Sequence, residues 1–178
     1  MVLDMEGEFF KIARTILSKP GNLYKMAAIS PHTGRVTLLG ADGFMVVGSS
    51  VLRTFTRGRE EKAFSVGEKC GREMFGNLMK EFDEEIRSLE PRKLFQLALS
   101  LARNTGWGSF DMVELKASKK KATIRALETI EMRYQGSKHH MLTCGFVSGI
   151  ASICLGSRMK ASIEKETESE ILLSLSPA

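Results

Sequence analysis

His139-His140-Met141-Leu142-Thr143-Cys144-Gly145-Phe146-Val147-Ser148-Gly149-Ile150-Ala151-Ser152-Ile153-Cys154-Leu155-Gly156 is the stretch whose reading decides the fold. It carries no charge from Met141 to Leu155. Gly145, Gly149, Ser152 and Gly156 recur at steps of four, three and four, which predicts a small-residue stripe along one helix face. Met141, Leu142, Phe146, Ile150, Ile153 and Cys154 occupy much of the remaining circumference. A helix apolar nearly all round has to be buried, and a small-residue stripe admits another backbone or a ligand at short range. The run is shorter than the ~18 apolar residues of a membrane span, so no span is expected.

On the N-terminal side of this helix the pattern changes period twice. Phe110–Leu115 and Ala122–Ile130 read as strands, with Thr123, Arg125 and Leu127 facing one way and Ile124 and Ala126 the other. Phe110 and Met112 share a face while Val113 and Leu115 take the opposite one, so a bulge is expected near Met112. Lys119-Lys120-Lys121 falls in the turn between these strands and reads as a solvated turn rather than a phosphate-binding patch. Met159–Glu164 and Ile171–Leu175 supply two more strands after the helix.

Further upstream, Arg59 to Leu89 is helical, with Ala63, Val66, Cys70, Met74, Leu78, Phe82 and Ile86 on one face. Ser65 and Glu68 fit a capping box that restarts the helix, and one continuous helix fits equally well. Gly67 and Gly71 stand one turn apart in it, each costing about 1 kcal/mol against Ala, which suggests close packing there. Pro91 suits a first helical turn, and Leu94, Leu97, Ala98 and Leu101 carry the next helix to Asn104 and Gly106. The first 43 residues read as an extension. It has a helix through Phe9, Ile12, Ala13, Ile16 and Leu17, then a hairpin of Leu23–Ile29 and Arg35–Leu39 about a turn at Ser30–Gly34. Phe44–Val47 fits a short strand, and Ser49 or Ser50 a cap for a helix through Val51, Leu52 and Phe55.

The predicted fold class is therefore α+β. Helices pack on a mainly antiparallel sheet of about four strands, and a long glycine-containing helix is inserted between strands. We expect a single domain over 1–178, divided into the extension at 1–43 and the main body at 44–178. The net charge of +5 comes from dispersed residues, so nucleic-acid binding is not expected. The early acids Asp4, Glu6 and Glu8 do not suit a secretory signal, and Cys70, Cys144 and Cys154 read as reduced core thiols, so a cytoplasmic location is expected.

Taken in order, the helix with Gly67 and Gly71, then Asn104-Thr105-Gly106-Trp107-Gly108, two strands, and Leu142-Thr143-Cys144-Gly145-Phe146-Val147-Ser148-Gly149 resemble the 4-vinyl reductase domain. The resemblance runs from about Phe44 to the C-terminus. It implies helices on an antiparallel sheet, dimerisation through the long helices, and a pocket that takes small hydrophobic molecules. It also relates the chain to sensory modules of transcription regulators and to vesicle-tethering subunits of the transport protein particle. Many members place a Cys five residues before the glycine that here is Gly145, and two more near the last strands, as a metal or redox cluster. His140 stands at the first of these positions, and Met159 to Ala178 contains neither Cys nor His, only Glu164, Glu166, Glu168 and Glu170 as possible ligands.

Adjacent His139 and His140 point about 100° apart on a helix and do not chelate one ion from one face. Their expected role is a solvated first helical turn above a buried Cys144 thiol, with no metal and no cofactor. No phosphate loop, dinucleotide fingerprint, serine elbow or paired carboxylates are present, so no catalytic residue is expected. His32 reads as an exposed turn residue and Arg125 as a partner in a surface ion pair. The flexible residues Met45, Met74, Met79, Met112, Met132 and Met141 suit either a core or an adaptable apolar pocket. Trp107, the lone Trp, fits a plug at the helix-to-strand junction or the mouth of such a pocket.

The expected ligand-binding set is Met74, Leu78, Trp107, Met141, Cys144, Gly145, Phe146 and Gly149. The expected function is non-catalytic binding or sensing of a small lipid- or hydrocarbon-like molecule by a homodimer. The alternatives are a structural adaptor and, more remotely, an accessory factor in tetrapyrrole vinyl reduction.

Overall fold

The computed structural model describes residues 58–81, 86, 89–132 and 140–178, and the backbone of three short strands near the N-terminus. Those strands are β1 (Ala27–Ile29), β2 (Val36–Leu38) and β3 (Ala41–Phe44), joined antiparallel in that order. The expected hairpin is there, but the third strand precedes the expected Phe44–Val47 and ends where that run begins. The expected helices at Phe9–Leu17 and Val51–Phe55, and the positions His32, Met45, Phe82 and His139, lie outside the described residues.

The chain divides into two compact units, one gathering Met1–Val46 and Gly76–Leu89, the other Val47–Phe75 and Glu90–Ala178. The larger contains most of α1 (Glu60–Glu81), all of α2 (Pro91–Asn104) and α3 (Met141–Cys154), and the strands β4 (Ser109–Lys116), β5 (Lys121–Leu127), β6 (Met159–Glu166) and β7 (Glu170–Pro177). It is an α+β unit whose sheet runs β4-β5-β7-β6, every neighbour antiparallel. The connection from β5 to β6 passes through α3 and leaves the place between them to β7.

Alternation dictates the sheet's buried face. Ala122, Ile124 and Ala126 of β5 are buried while Lys121 and Arg125 are exposed, and β7 buries Ile171, Leu173 and Leu175 in the same register. The β4–β5 register shifts between Met112 and Glu114, and the extra residue, Val113, is 58% exposed. That is the bulge expected near Met112. β5 ends at Leu127 rather than Ile130. Ala117–Lys119 form a turn of 3-10 helix, and Lys120 closes it with φ 48. Arg125 pairs with Asp111 across the exposed face at 2.8 Å. Helix α2 lies along β4, and α3 along β6.

α1 is one continuous helix. Its buried face runs through Ala63, Gly67, Gly71, Met74, Phe75 and Leu78, and Val66, expected inside, is 45% exposed. The reason is the neighbour it meets. A Cβ on Gly67 would overlap the Leu142 carbonyl oxygen, and one on Gly71 the carbonyl oxygen of Phe146. In reverse, Cβ atoms on Gly145 and Gly149 would overlap the carbonyl oxygens of Phe64 and Glu68. Contacts advance together along both chains, so α1 and α3 run parallel with two glycines of each against the other's backbone. Such an approach brings Cα–H groups onto carbonyl oxygens, a weak but repeated attraction.

The small-residue stripe expected on α3 is therefore split between two neighbours. Gly145 and Gly149 face α1, whereas Ser152 turns to the sheet and Gly156 lies beyond the helix with φ 59. Ser148 Oγ donates to the Cys144 carbonyl and accepts from Ala161 N at 2.8 Å. Ser152 Oγ donates to the Ser148 carbonyl and accepts from Met159 N at 2.9 Å. β6 is an edge strand, and buried edge N–H groups need acceptors. Two serines one turn apart supply them from within an otherwise apolar helix.

Candidate functional site

The site is assembled by the chain between α2 and α3. Gly106 and Gly108 take φ of 85° and 135°, values that a side chain resists, and they fold the G-W-G step back on itself. Trp107 N donates to the Ala102 carbonyl, and its own carbonyl accepts from Ile130 N, both at 3.0 Å. A Cβ on Gly108 would come 2.8 Å from Thr129 Cα, so the step is held flush against the segment leaving β5. This presents the half-buried Trp107 ring to α3. It stacks on Phe146, with centroids 3.7 Å apart and planes 6° from parallel.

The segment held by Trp107 then caps α3. Glu131, only 4% exposed, accepts from Leu142 N at 3.1 Å and Thr143 N at 2.7 Å. Its carboxylate thus satisfies two amides that a helix start leaves without partners, at the positive end of the helix dipole. His140 holds the N-cap backbone position with φ 37 and makes no side-chain cap. It is buried at 3% exposure, which corrects the expectation of a solvated histidine: the cap is provided from Glu131, and the imidazole turns inward. His140 Nε2 lies 3.4 Å from Glu166 Oε1 at the end of β6. Among the described residues, its Nδ1 and the hydroxyl of fully buried Thr143 have no hydrogen-bond partner.

Cys144 is buried as expected, and burial pushes its thiol up to about 12, with a smaller push from Glu131 and Glu166. At neutral pH it is a thiol, not a nucleophile. Cys154 is raised well above its ordinary value by the same desolvation, and Cys70 is raised as well. The metal cluster implied by the family resemblance needs three or four converging ligands. Among the described residues no three of His, Cys, Asp or Glu gather in that way. His140 and Glu166 make a pair only, and the residues do not fit such a cluster.

Of the expected binding set, Trp107 stacks on Phe146. Half-buried Met141 and buried Cys144 lie in the same two turns of α3, but Cys144 leaves the helix on roughly the opposite side from Phe146, the side of Ser148. Met74 belongs to the same unit, its sulfur 3.8 Å from the Thr105 hydroxyl two residues before Trp107. Leu78 is buried but falls in the part of α1 that belongs to the smaller unit. Gly145 and Gly149 sit against α1's backbone. Glu131 and Thr143 were not singled out from the sequence. A carboxylate that caps a helix 11 and 12 residues further on leaves no local motif, whereas the four-residue step of Ser148 and Ser152 is at least visible.

No family model matches the chain, and no curated protein matches it. Its fold is similar to the crystal structure of the phenol-responsive sensory domain of the transcription activator PoxR with phenol. The TM-score is 0.69 at 9% sequence identity, over 99% of this chain and 92% of that one. The likeness is one of fold.

Proposed function

We propose that this protein is a non-catalytic sensor that binds a small, largely apolar molecule beside the start of α3. Trp107, Phe146, Met74 and Met141 meet the ligand, and the close approach of α1 at Gly145 and Gly149 fixes the wall behind them. The observation that carries this reading is the half-buried Trp107 stacked on wholly buried Phe146. The protein with a similar fold is described as phenol-responsive, which supports a ligand of that kind. Burial of apolar surface, about 25 cal/mol per Å², drives binding. The protein acts in the cytoplasm as a homodimer, and occupancy biases its conformation toward a partner-competent state. No described helix is long and apolar enough to cross a membrane. The glycine faces that an adaptor would offer to partners are already occupied by one another.

Trp107 is the lone tryptophan, so its emission reports on this site alone. Titration with phenol, toluene, hexanol and heptane is expected to shift that emission and raise the melting temperature. Saturation at a hundred times Kd adds about 2.7 kcal/mol. If no member of the panel binds, and solvent extraction of the purified protein yields no apolar compound, the reading is wrong. Sedimentation of the ligand-free and loaded protein tests the dimer.

A further inference from the structure

We infer that the ligand carries one uncharged hydroxyl, held between His140 Nδ1 and Thr143 Oγ1 at the start of α3. The inference rests on the apolar-ligand reading and names the polar end of that ligand. Buried polar atoms almost always find partners, so two orphans within four residues call for a specific explanation. His140 is 3% exposed and Thr143 0%, and both orphaned atoms are sealed from bulk water. Every other buried polar side chain in α3 is satisfied: Ser148 and Ser152 each both donate and accept.

The chemistry of the two atoms selects the ligand. Glu166 Oε1 faces His140 Nε2 at 3.4 Å. A carboxylate there favours the tautomer with its proton on Nε2, and in that tautomer Nδ1 is a lone-pair acceptor. The Thr143 hydroxyl can donate, and its rotor is uncommitted. An acceptor and a donor together match a single alcohol or phenol oxygen, whose O–H donates to Nδ1 and whose lone pair accepts from Oγ1. The amides of Leu142 and Thr143 are already taken by Glu131, so an anion would have the single Thr143 hydroxyl and neither of these two amides as donors. Two nearby carboxylates, Glu131 and Glu166, repel one further. A carboxylic acid or phosphate is therefore rejected, and a neutral hydroxyl is accepted. Thr143 precedes Phe146 by three residues, so both side chains leave α3 on one side, and an apolar body anchored at Thr143 runs toward the Trp107–Phe146 stack.

The test uses the full chain and two pairs of probes that differ in the hydroxyl, phenol with toluene and hexanol with heptane. In whichever pair binds, the hydroxyl member is expected to bind about three- to tenfold tighter in the native protein. Thr143→Val should abolish that preference, so that the two members of a pair bind alike, and Thr143→Ser should retain it. Because the valine removes an orphaned hydroxyl, the ligand-free Thr143→Val protein should melt no lower than the native one. Equal affinity within the pairs, or a preference that survives Thr143→Val, overturns the inference and leaves the apolar-ligand reading standing. Filling of the site by a buried water only gives the same equal affinities and overturns it likewise. Failure of all four probes to bind, with no apolar compound extracted from the purified protein, removes both.

Discussion

The ring of Trp107 lies parallel to that of Phe146, 3.7 Å away, and Phe146's backbone in turn meets Gly67 and Gly71 of α1. One residue thus joins the G-W-G step to the glycine contact between helices. Replacing Phe146 by Ala should cost about 3–5 kcal/mol, and Leu considerably less, since Leu refills most of the volume. Denaturation followed by Trp107 emission checks this. The Ala variant should also show a red-shifted native spectrum.

Glycine positions in α1 should respond with opposite signs. Gly71→Ala forces a Cβ onto the carbonyl of Phe146 and should destabilise by about 1–3 kcal/mol or more. Gly145→Ala should do the same through Phe64. A Cβ on Gly76 meets nothing within 4 Å, so Gly76→Ala should stabilise by up to about 1 kcal/mol through helix propensity. Urea midpoints of the three variants decide the matter.

Removal of the Glu131 carboxylate should loosen the start of α3. Glu131→Ala leaves the amides of Leu142 and Thr143 buried without acceptors, at an expected cost of about 2–3 kcal/mol. Glu131→Gln keeps one acceptor oxygen and should lose less. Hydrogen exchange at Leu142 and Thr143 should speed up in both, more in the alanine variant.

Alkaline pH should weaken the fold through Cys144. Its thiol ionises near 9.0 when exposed and holds its proton to about 12 in the fold. Between those values the unfolded chain binds fewer protons than the folded one, so stability is intact below pH 9 and falls as pH rises toward 12. Cys154, raised by burial, acts in the same direction. Melting temperatures from pH 8 to 10.5 should decline, and Cys144→Ala should flatten the decline whatever it does to stability at neutral pH.

Local pattern alone determined a good deal of this protein. The uncharged run from Met141 to Leu155 specified a buried helix, because no face of it can stay in water. Alternation at Ala122–Leu127 specified which side of β5 is core, and the phase change at Met112–Val113 specified the bulge. Those properties follow from backbone periodicity, which neighbours in sequence already carry.

Only tertiary structure decided what the small residues of α3 are for. Glycine and serine look alike in a periodic stripe, yet Gly145 and Gly149 meet a helix backbone while Ser148 and Ser152 satisfy the edge of β6. The same holds for His140, which the sequence leaves at a helix start open to solvent. It is buried because Glu131, nine residues earlier in the chain, takes the cap. Val66 and Gly67 exchange places on α1 for a related reason: the parallel partner helix comes too close for any side chain. Such outcomes depend on which element arrives next to which, and adjacency in space is not written in adjacency along the chain.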